Sequence, residues 1–212
     1  MIQDYSKFIN DCLEKSKTEH LPKEITKISD DTKPHSMSTH RTQALLNNLC
    51  SFGDARYLEI GILDGASYFA AAFENSGQFY GIDDWSKYGD RMQNIRKNIL
   101  SFSTEKTQFH FFNEDSWKLD LSKIKHKINV FFYDGDHSKE AQEKYLKHFD
   151  EVLDEDVILI VDDFFNSGIK FSMEEATKKC IENSSFKVQF EKKLLEKHTW
   201  HEGFYIAHLK RI

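Results

Sequence analysis

The sequence predicts an α/β fold: a mainly parallel sheet with helices on both faces, closed by an antiparallel pair at the C-terminal end. Three observations lead there. Strand-like and helix-like segments alternate from residue 56 to residue 181. The central strands, residues 128–133 and 157–161, are apolar almost throughout rather than at every second position, which is the pattern of strands covered on both sides. The last two segments, residues 186–190 and 204–209, alternate well enough to pair with each other.

The elements follow in order. Ile2, Tyr5, Phe8, Ile9 and Cys12 recur at helical spacing, so an N-terminal helix is expected, followed by a loose Lys/Asp/Thr-rich stretch to about residue 34. Residues 42–50 read as a short helix through Leu45, Leu46 and Leu49. The first strand is residues 57–60, the turn 61–65, and a small-residue helix 67–73 with Ser67 near its start. The second strand, 78–82, ends in Asp83-Asp84. Residues 90–102 form a helix with Met92, Ile95, Ile99 and Leu100 on its apolar side. The third strand, 108–112, ends in Asn113-Glu114-Asp115. The fourth strand, 128–133, precedes a helix over 139–153 with Ala141, Tyr145, Phe149 and Val152 facing inward. The fifth, 157–161, precedes a helix over 173–181. Residues 1–50 are thus a helical cap segment and 51–212 a single domain.

Composition bounds the function classes. A chain of 212 residues with 39% hydrophobic and 30% charged content suits one soluble domain with a full core. The net charge is -6 and the lysines are scattered among glutamates, so no nucleic-acid surface is expected, since phosphate binding needs clustered Lys and Arg. Cys12, Cys50 and Cys180 are odd in number and form no CxxC pair, which argues against a disulfide framework or a thiolate zinc site and for reduced thiols in the cytoplasm. The N-terminal residues lack a secretory leader pattern, and the apolar runs are strand-sized, too short for a membrane span. The oligomeric state is open.

Two features carry chemistry. The first is Glu59-Ile60-Gly61-Ile62-Leu63-Asp64-Gly65, where the first strand meets the first helix. Two glycines permit a tight turn and close approach of a ligand, but the GxxxG spacing is neither the dinucleotide fingerprint nor a phosphate loop. An ordinary packing turn is the competing reading. The acid after strand two, Asp83, stands where a ribose-binding acid is expected, or it caps a turn. The second feature is the pair of acidic strand ends, Asp134-Gly135-Asp136-His137 and Asp162-Asp163. Carboxylates converging on neighbouring strand ends repel unless a cation lies between them, and oxygen ligands suit Mg²⁺ or Mn²⁺. His137 can take a proton near neutral pH. Asp136 or His137 could instead cap the following helix, and Asp163 could face solvent.

The ExGxxxG turn, the acid after strand two and the acidic loop after strand three resemble the class I S-adenosylmethionine-dependent methyltransferases over residues 55–165. Together with Phe132-Tyr133-Asp134-Gly135-Asp136-His137-Ser138 and Ile160-Val161-Asp162-Asp163-Phe164-Phe165, the chain resembles the small metal-dependent sugar O-methyltransferases of macrolide and aminocoumarin biosynthesis. The resemblance implies a Rossmann-like fold with a seven-stranded sheet and S-adenosylmethionine as cofactor. It implies that Glu59, Gly61 and Gly65, with Ser67 behind them, surround the methionine part. Asp83 then holds the ribose, and Asp115 with Ser116 lies by the adenine. Asp134 borders the cofactor and joins Asp162 and Asp163 in holding Mg²⁺ or Mn²⁺. The base is His137 or, second, Asp136, and the acceptor is a hydroxyl of a sugar, glycan or other vicinal diol. His35, Met37, His40 and Arg41, and also Trp85, Tyr88, Asn166 and Ser167, are weaker candidates for ligand contact. Trp200, His201 and Phe204 are assigned to the terminal hairpin, and His198 to a loop. Two other readings compete: a phosphotransferase of the HAD type using Asp134-Gly135-Asp136 as its DxD motif, and a cofactor-binding protein without catalysis.

Overall fold

Parallel pairing runs through the centre of the sheet in the computed structural model, which describes residues 2–26, 28, 38–86, 89–195, 200 and 202–212. Seven strands, β1 (Ala55–Ile60), β2 (Gly77–Ile82), β3 (Thr107–Phe112), β4 (Ile128–Tyr133), β5 (Leu153–Val161), β6 (Phe186–Leu194) and β7 (Phe204–Arg211), lie in the order β3-β2-β1-β4-β5-β7-β6. The first five are parallel, and β7 runs antiparallel to both β5 and β6. All seven strands expected from sequence are present. β5 and β6 are longer than their apolar runs, because the charged residues 154–156 and 191–193 that extend them are half-buried or exposed and interrupt the hydrophobic signal.

The apolar strands are covered on both faces. In β4, Phe131 and Tyr133 enter one core cluster, with Tyr145, Leu146 and Phe149. Val130 and Phe132 enter the other, with Leu45, Phe69 and Ile9. The second cluster therefore takes in α1 (Tyr5–Lys15), α3 (His40–Leu49) and α4 (Ala66–Ala72). Local chemistry starts these helices where they start: Asp4 accepts from Lys7 N–H at the head of α1, and Thr39 accepts from Thr42 N–H at the head of α3. A short helix, α2 (Lys23–Thr26), lies within the stretch expected to be loose, and it buries Ile25.

Two expectations need correction. In α5 (Met92–Phe102) only Ile95 is buried, and Leu100 is 84% exposed. Met92, Ile99 and Phe102 pack partly against the core instead, so the buried stripe is narrower than the sequence suggested and Leu100 lies outside it. The single helix expected over 139–153 is broken into α6 (Lys139–Gln142) and α7 (Tyr145–Phe149), followed by a 3-10 turn. Lys144 leaves the helical region at φ -130°. The break lets Tyr145, Leu146 and Phe149 all be buried, with Tyr145 stacked on Tyr133 at 4.4 Å between ring centroids. The last helix, α8 (Met173–Glu182), is capped by Ser172 and matches its expected span.

The topology decides where a ligand can bind. The strand order reverses between β1 and β4, and in open α/β sheets the crevice outside the strands' carboxyl ends at such a point is where ligands bind. No helix among the described residues is long and apolar enough to cross a membrane.

The corrected stripe of α5 has a measurable consequence. Leu100→Lys is expected to change the unfolding free energy by less than about 0.5 kcal/mol, while Ile95→Ala costs about 2–5 kcal/mol. Urea denaturation of the two variants checks this, and equal costs would contradict the assignment of faces.

Candidate active site

Backbone hydrogen bonds carry the sheet one residue past the strands and line up the site. Asp83 N–H donates to Phe112 O, Gly61 N–H to Ile82 O, Asp134 N–H to Ile60 O and Asp162 N–H to Tyr133 O, at 2.9–3.1 Å. Each of these residues is the first after its strand, so the glycine and three acids stand side by side at about the 4.8 Å strand spacing. Above them lies a cavity of about 790 Å³, within the range of small-molecule sites.

The turn after β1 is built for contact. Gly61 has φ +85°, and a Cβ there would lie 2.1 Å from the Asp134 carbonyl oxygen. Gly65, also at φ +85°, caps α4 and leaves no room beside the Phe69 ring. Gly61 lines the cavity, whereas Gly65 lies behind its wall. Leu63 sits at φ 45° and Trp85 at φ 50°, which is unusual for side chains of this size. Asp83 holds both: its Oδ2 accepts from Leu63 N–H and its Oδ1 from Trp85 N–H, each at 2.8 Å. The Trp85 indole N–H in turn donates to Leu63 O at 2.9 Å. Asp83 therefore ties two loops together while facing the cavity, and burial raises its pKa despite those donors. Asp84, its neighbour, accepts from Ser86 N–H.

Glu59 is fully buried and off the cavity wall. It accepts from Tyr57 Oη at 2.6 Å and from the Ser67 hydroxyl, and Ser67 lines the cavity. Burial pushes the Glu59 carboxyl up to about 8, against the pull of those two hydroxyls and with help from the charges of Asp162 and Asp83. Tyr57 was not singled out from the sequence. Its signal was there, because residues two apart on a strand share a face.

At the far end of the cavity, Asp115 accepts from Trp117 N–H and pairs with Lys118 Nζ at 2.8 Å, which lowers its pKa. The Ser116 carbonyl is held by His148 Nε2 at 2.9 Å. Both Asp115 and Ser116 line the cavity.

The acids after β4 and β5 meet around a histidine. His137 Nε2 lies 3.6 Å from Asp134 Oδ1 and 3.6 Å from Asp163 Oδ2. Asp163, at φ 54°, also accepts from Asn166 Nδ2 at 3.0 Å. Asp162 is only 9% exposed, and its Oδ1 has no hydrogen-bond partner among the described residues. Burial, followed by like-charge neighbours, raises both Asp134 and Asp162 well above the ordinary carboxylate range. Those neighbours are Glu59 and Asp163 for the first, Asp134 and Asp163 for the second. Asp136 is exposed on the rim, and its two oxygens accept from Ser138 N–H at 2.8 Å and from the Ser138 hydroxyl at 2.9 Å. Among the described residues no group of three or more His, Cys, Asp or Glu side chains is gathered closely enough to hold a metal ion in this conformation.

The remaining candidates separate. Asn166, Trp85 and Phe204 line the cavity, while His40, Arg41 and Ser167 do not. Arg41 instead stacks over the Trp200 ring at 4.8 Å. His35, Met37, Tyr88, His198 and His201 lie outside the described residues. Sequence reasoning missed Ser38, Thr42, Arg91 and Glu202 on the wall. Arg91 Nε lies 3.6 Å from Asp64 Oδ1 across the turn. Glu202 is carried there by the hairpin, whose backbone pairs with the loop after β5 through Phe165 N–H to Glu202 O at 2.9 Å. Such contacts join residues far apart in sequence and leave no local pattern.

A sheet of this order, closed by an antiparallel pair and bearing a glycine turn and acids at its central strand ends, defines the Rossmann-like class I methyltransferase fold. The model of the family described as a methyltransferase domain matches residues 58–164, just over half the chain, and the chain belongs to that family. Solved structures share the fold at low identity. The SAH-bound Podospora anserina methyltransferase PaMTH1 superposes with a TM-score of 0.65 at 11% identity, over 100% of this chain and 98% of its own. TomG from Streptomyces achromogenes, an O-methyltransferase of tomaymycin synthesis solved with SAM, gives 0.61 at 13% identity, over 99% and 100%. An O-methyltransferase proposed from Klebsiella pneumoniae gives 0.60 at 17% identity, over 99% and 92%. No curated protein matches the chain.

Two substitutions test this geometry. Gly61→Ala is expected to cost about 1–3 kcal/mol, because its methyl meets the Asp134 carbonyl; a thermal melt unchanged from the parent would refute that packing. For Glu59 the folded pKa lies above its ordinary value of 4.5, so folding retains a proton that the unfolded chain gives up. Its contribution is complete below the ordinary value and is lost as pH rises to about 8. Glu59→Gln cannot ionise, so the stability of the variant should fall less between these limits, by a few kcal/mol. Chemical denaturation across this pH window reads the difference, and parallel curves for the two proteins would show that Glu59 is not buried in its neutral form.

Proposed function

We propose that this chain is an S-adenosylmethionine-dependent O-methyltransferase that methylates a hydroxyl of a sugar, glycan or other vicinal diol, assisted by Mg²⁺ or Mn²⁺. The observation that carries the reading is His137 set between Asp134 and Asp163, with the orphaned Oδ1 of Asp162 beside them, in a cavity that the glycine turn also lines. Membership of the methyltransferase-domain family supports methyl transfer and sets aside the phosphotransferase alternative.

The donor chemistry of the residues suits both bound groups. Gly61 allows close approach at the turn, Asp83 lines the cavity, and Asp115 and Ser116 stand at its other end. Asp134, Asp162 and Asp163 offer hard oxygen atoms, and a buried acceptor without a donor is what a cation would satisfy. These three would hold the metal, with Asp134 also bordering the cofactor. When bound, the cofactor supplies an electrophilic methyl on a sulfonium, and the metal lowers the pKa of a coordinated hydroxyl.

The chain's own part is positioning and proton transfer. His137 would take the acceptor proton during methyl transfer. It is favoured over Asp136 because the Asp136 oxygens are already engaged by Ser138, while His137 Nε2 faces the acids. Glu59 works indirectly, holding Ser67 at the wall.

Titration calorimetry is expected to show S-adenosylmethionine binding, and no binding would sink this reading. Transfer of labelled methyl to a panel of vicinal diols should fall about 100- to 10,000-fold in His137→Ala. It should also fall steeply with EDTA and in Asp162→Ala. Transfer that survives both of the last two treatments would leave the enzyme and remove the metal.

A further inference from the structure

Arg91 is the one Lys or Arg side chain on the cavity wall among the described residues. It stands at the head of α5, but its side chain makes no capping hydrogen bond to that helix. Its one polar contact among the described residues is Asp64 Oδ1, 3.6 Å from its Nε and so beyond hydrogen-bonding distance. A guanidinium carries five N–H donors in a planar fork. Here Nε is buried without a partner among the described residues, while the side chain remains 24% exposed. Asp64, only 7% exposed, belongs to the glycine turn after β1. Charge therefore draws Arg91 to that turn without taking up its donors. Two other cations of this region stand off the wall and are already paired, Lys118 with Asp115 and Lys123 with Glu114.

We propose that Arg91 is a cofactor-binding residue that takes the α-carboxylate of the methionine part. The inference rests on the methyltransferase reading above, which sets that part of S-adenosylmethionine beside the glycine turn. The α-carboxylate is the only anionic group on the cofactor, whose sulfonium and ammonium are positive and whose adenosine is neutral. Asp64, Asp83 and Asp84 border the same stretch of wall, so a carboxylate entering there loses water and meets like charge. A cationic fork of donors offsets both costs, because charge-assisted hydrogen bonds to a carboxylate are strong and form in pairs. Asp64 and Arg91 also present opposite signs side by side. That is the pattern of an α-amino acid, whose ammonium and carboxylate share one carbon.

The experiment is titration calorimetry on the full chain. S-adenosylhomocysteine binding to the parent protein is measured first, and its absence would overturn the methyltransferase reading itself. The parent is then titrated with decarboxylated S-adenosylhomocysteine, which lacks only the carboxylate. This ligand should bind about 10- to 100-fold more weakly, the loss of a charge-assisted hydrogen-bonded pair. Arg91→Gln should weaken S-adenosylhomocysteine by a similar factor and leave the decarboxylated ligand within about twofold of its parent affinity. Arg91→Lys should recover part of the loss, since it keeps the charge without the fork. The parent's preference should also shrink at high salt. Equal binding of the two ligands by the parent would overturn the proposal without recourse to any variant. A preference that persists in Arg91→Gln would overturn it too, by putting the carboxylate elsewhere on the wall. So would an equal loss for both ligands, which would mark Arg91 as part of the wall's structure.

Discussion

The ladder of hydrogen bonds across the ends of β3, β2, β1, β4 and β5 is the constraint on which the rest depends. In a parallel sheet every strand points the same way, so the residues that follow the strands emerge on one edge. Here the ladder continues one step further, through the amides of Asp83, Gly61, Asp134 and Asp162. The positions of these residues are therefore set by backbone geometry rather than by their own interactions. That matters because the acids repel one another and would not gather unaided. The burial of Phe131, Tyr133, Leu159 and Val161 in the core beneath provides the stability that holds them there.

The site's electrostatics follow from that forced proximity. Glu59, Asp134 and Asp162 are all pushed towards their neutral forms, each mainly by burial. The means of relief differ. Glu59 is satisfied by Tyr57 and Ser67 and needs no ion. Asp83 spends its acceptors on two backbone amides and stabilises a turn with positive φ at Leu63 and Trp85. Asp162 has an oxygen with no hydrogen-bond donor among the described residues. Acids at one sheet edge thus differ in how far the donors that face them satisfy their oxygens.

How legible this was varies with the kind of evidence. All seven strands could be read, because a strand's apolar run is a local property. Gly61 and Gly65 were found as a turn, but their different duties were not: Gly61 gives way to the Asp134 carbonyl and Gly65 to the Phe69 ring. Leu100 looked apolar-facing because it neighbours the true stripe of α5, and nothing local reveals how narrow that stripe is. The break at Lys144 was hidden because both half-helices bury residues and pack against α8.

By itself the sequence determined the alternation of strand and helix, the parallel sheet covered on two faces, and the presence of Asp83, Asp134 and Asp162 directly after their strands. These follow from short-range periodicity and from the identity of single residues. Only the tertiary structure decided that Glu59 lies under the wall and acts through Ser67, that Asp83 binds the amide of Leu63 twenty residues away, and that Asp136 is engaged by Ser138 while His137 faces the acids. It alone also brought Arg91 and Glu202 to the cavity. Those outcomes depend on which donors and charges meet in space after packing, and one-dimensional order does not contain those distances.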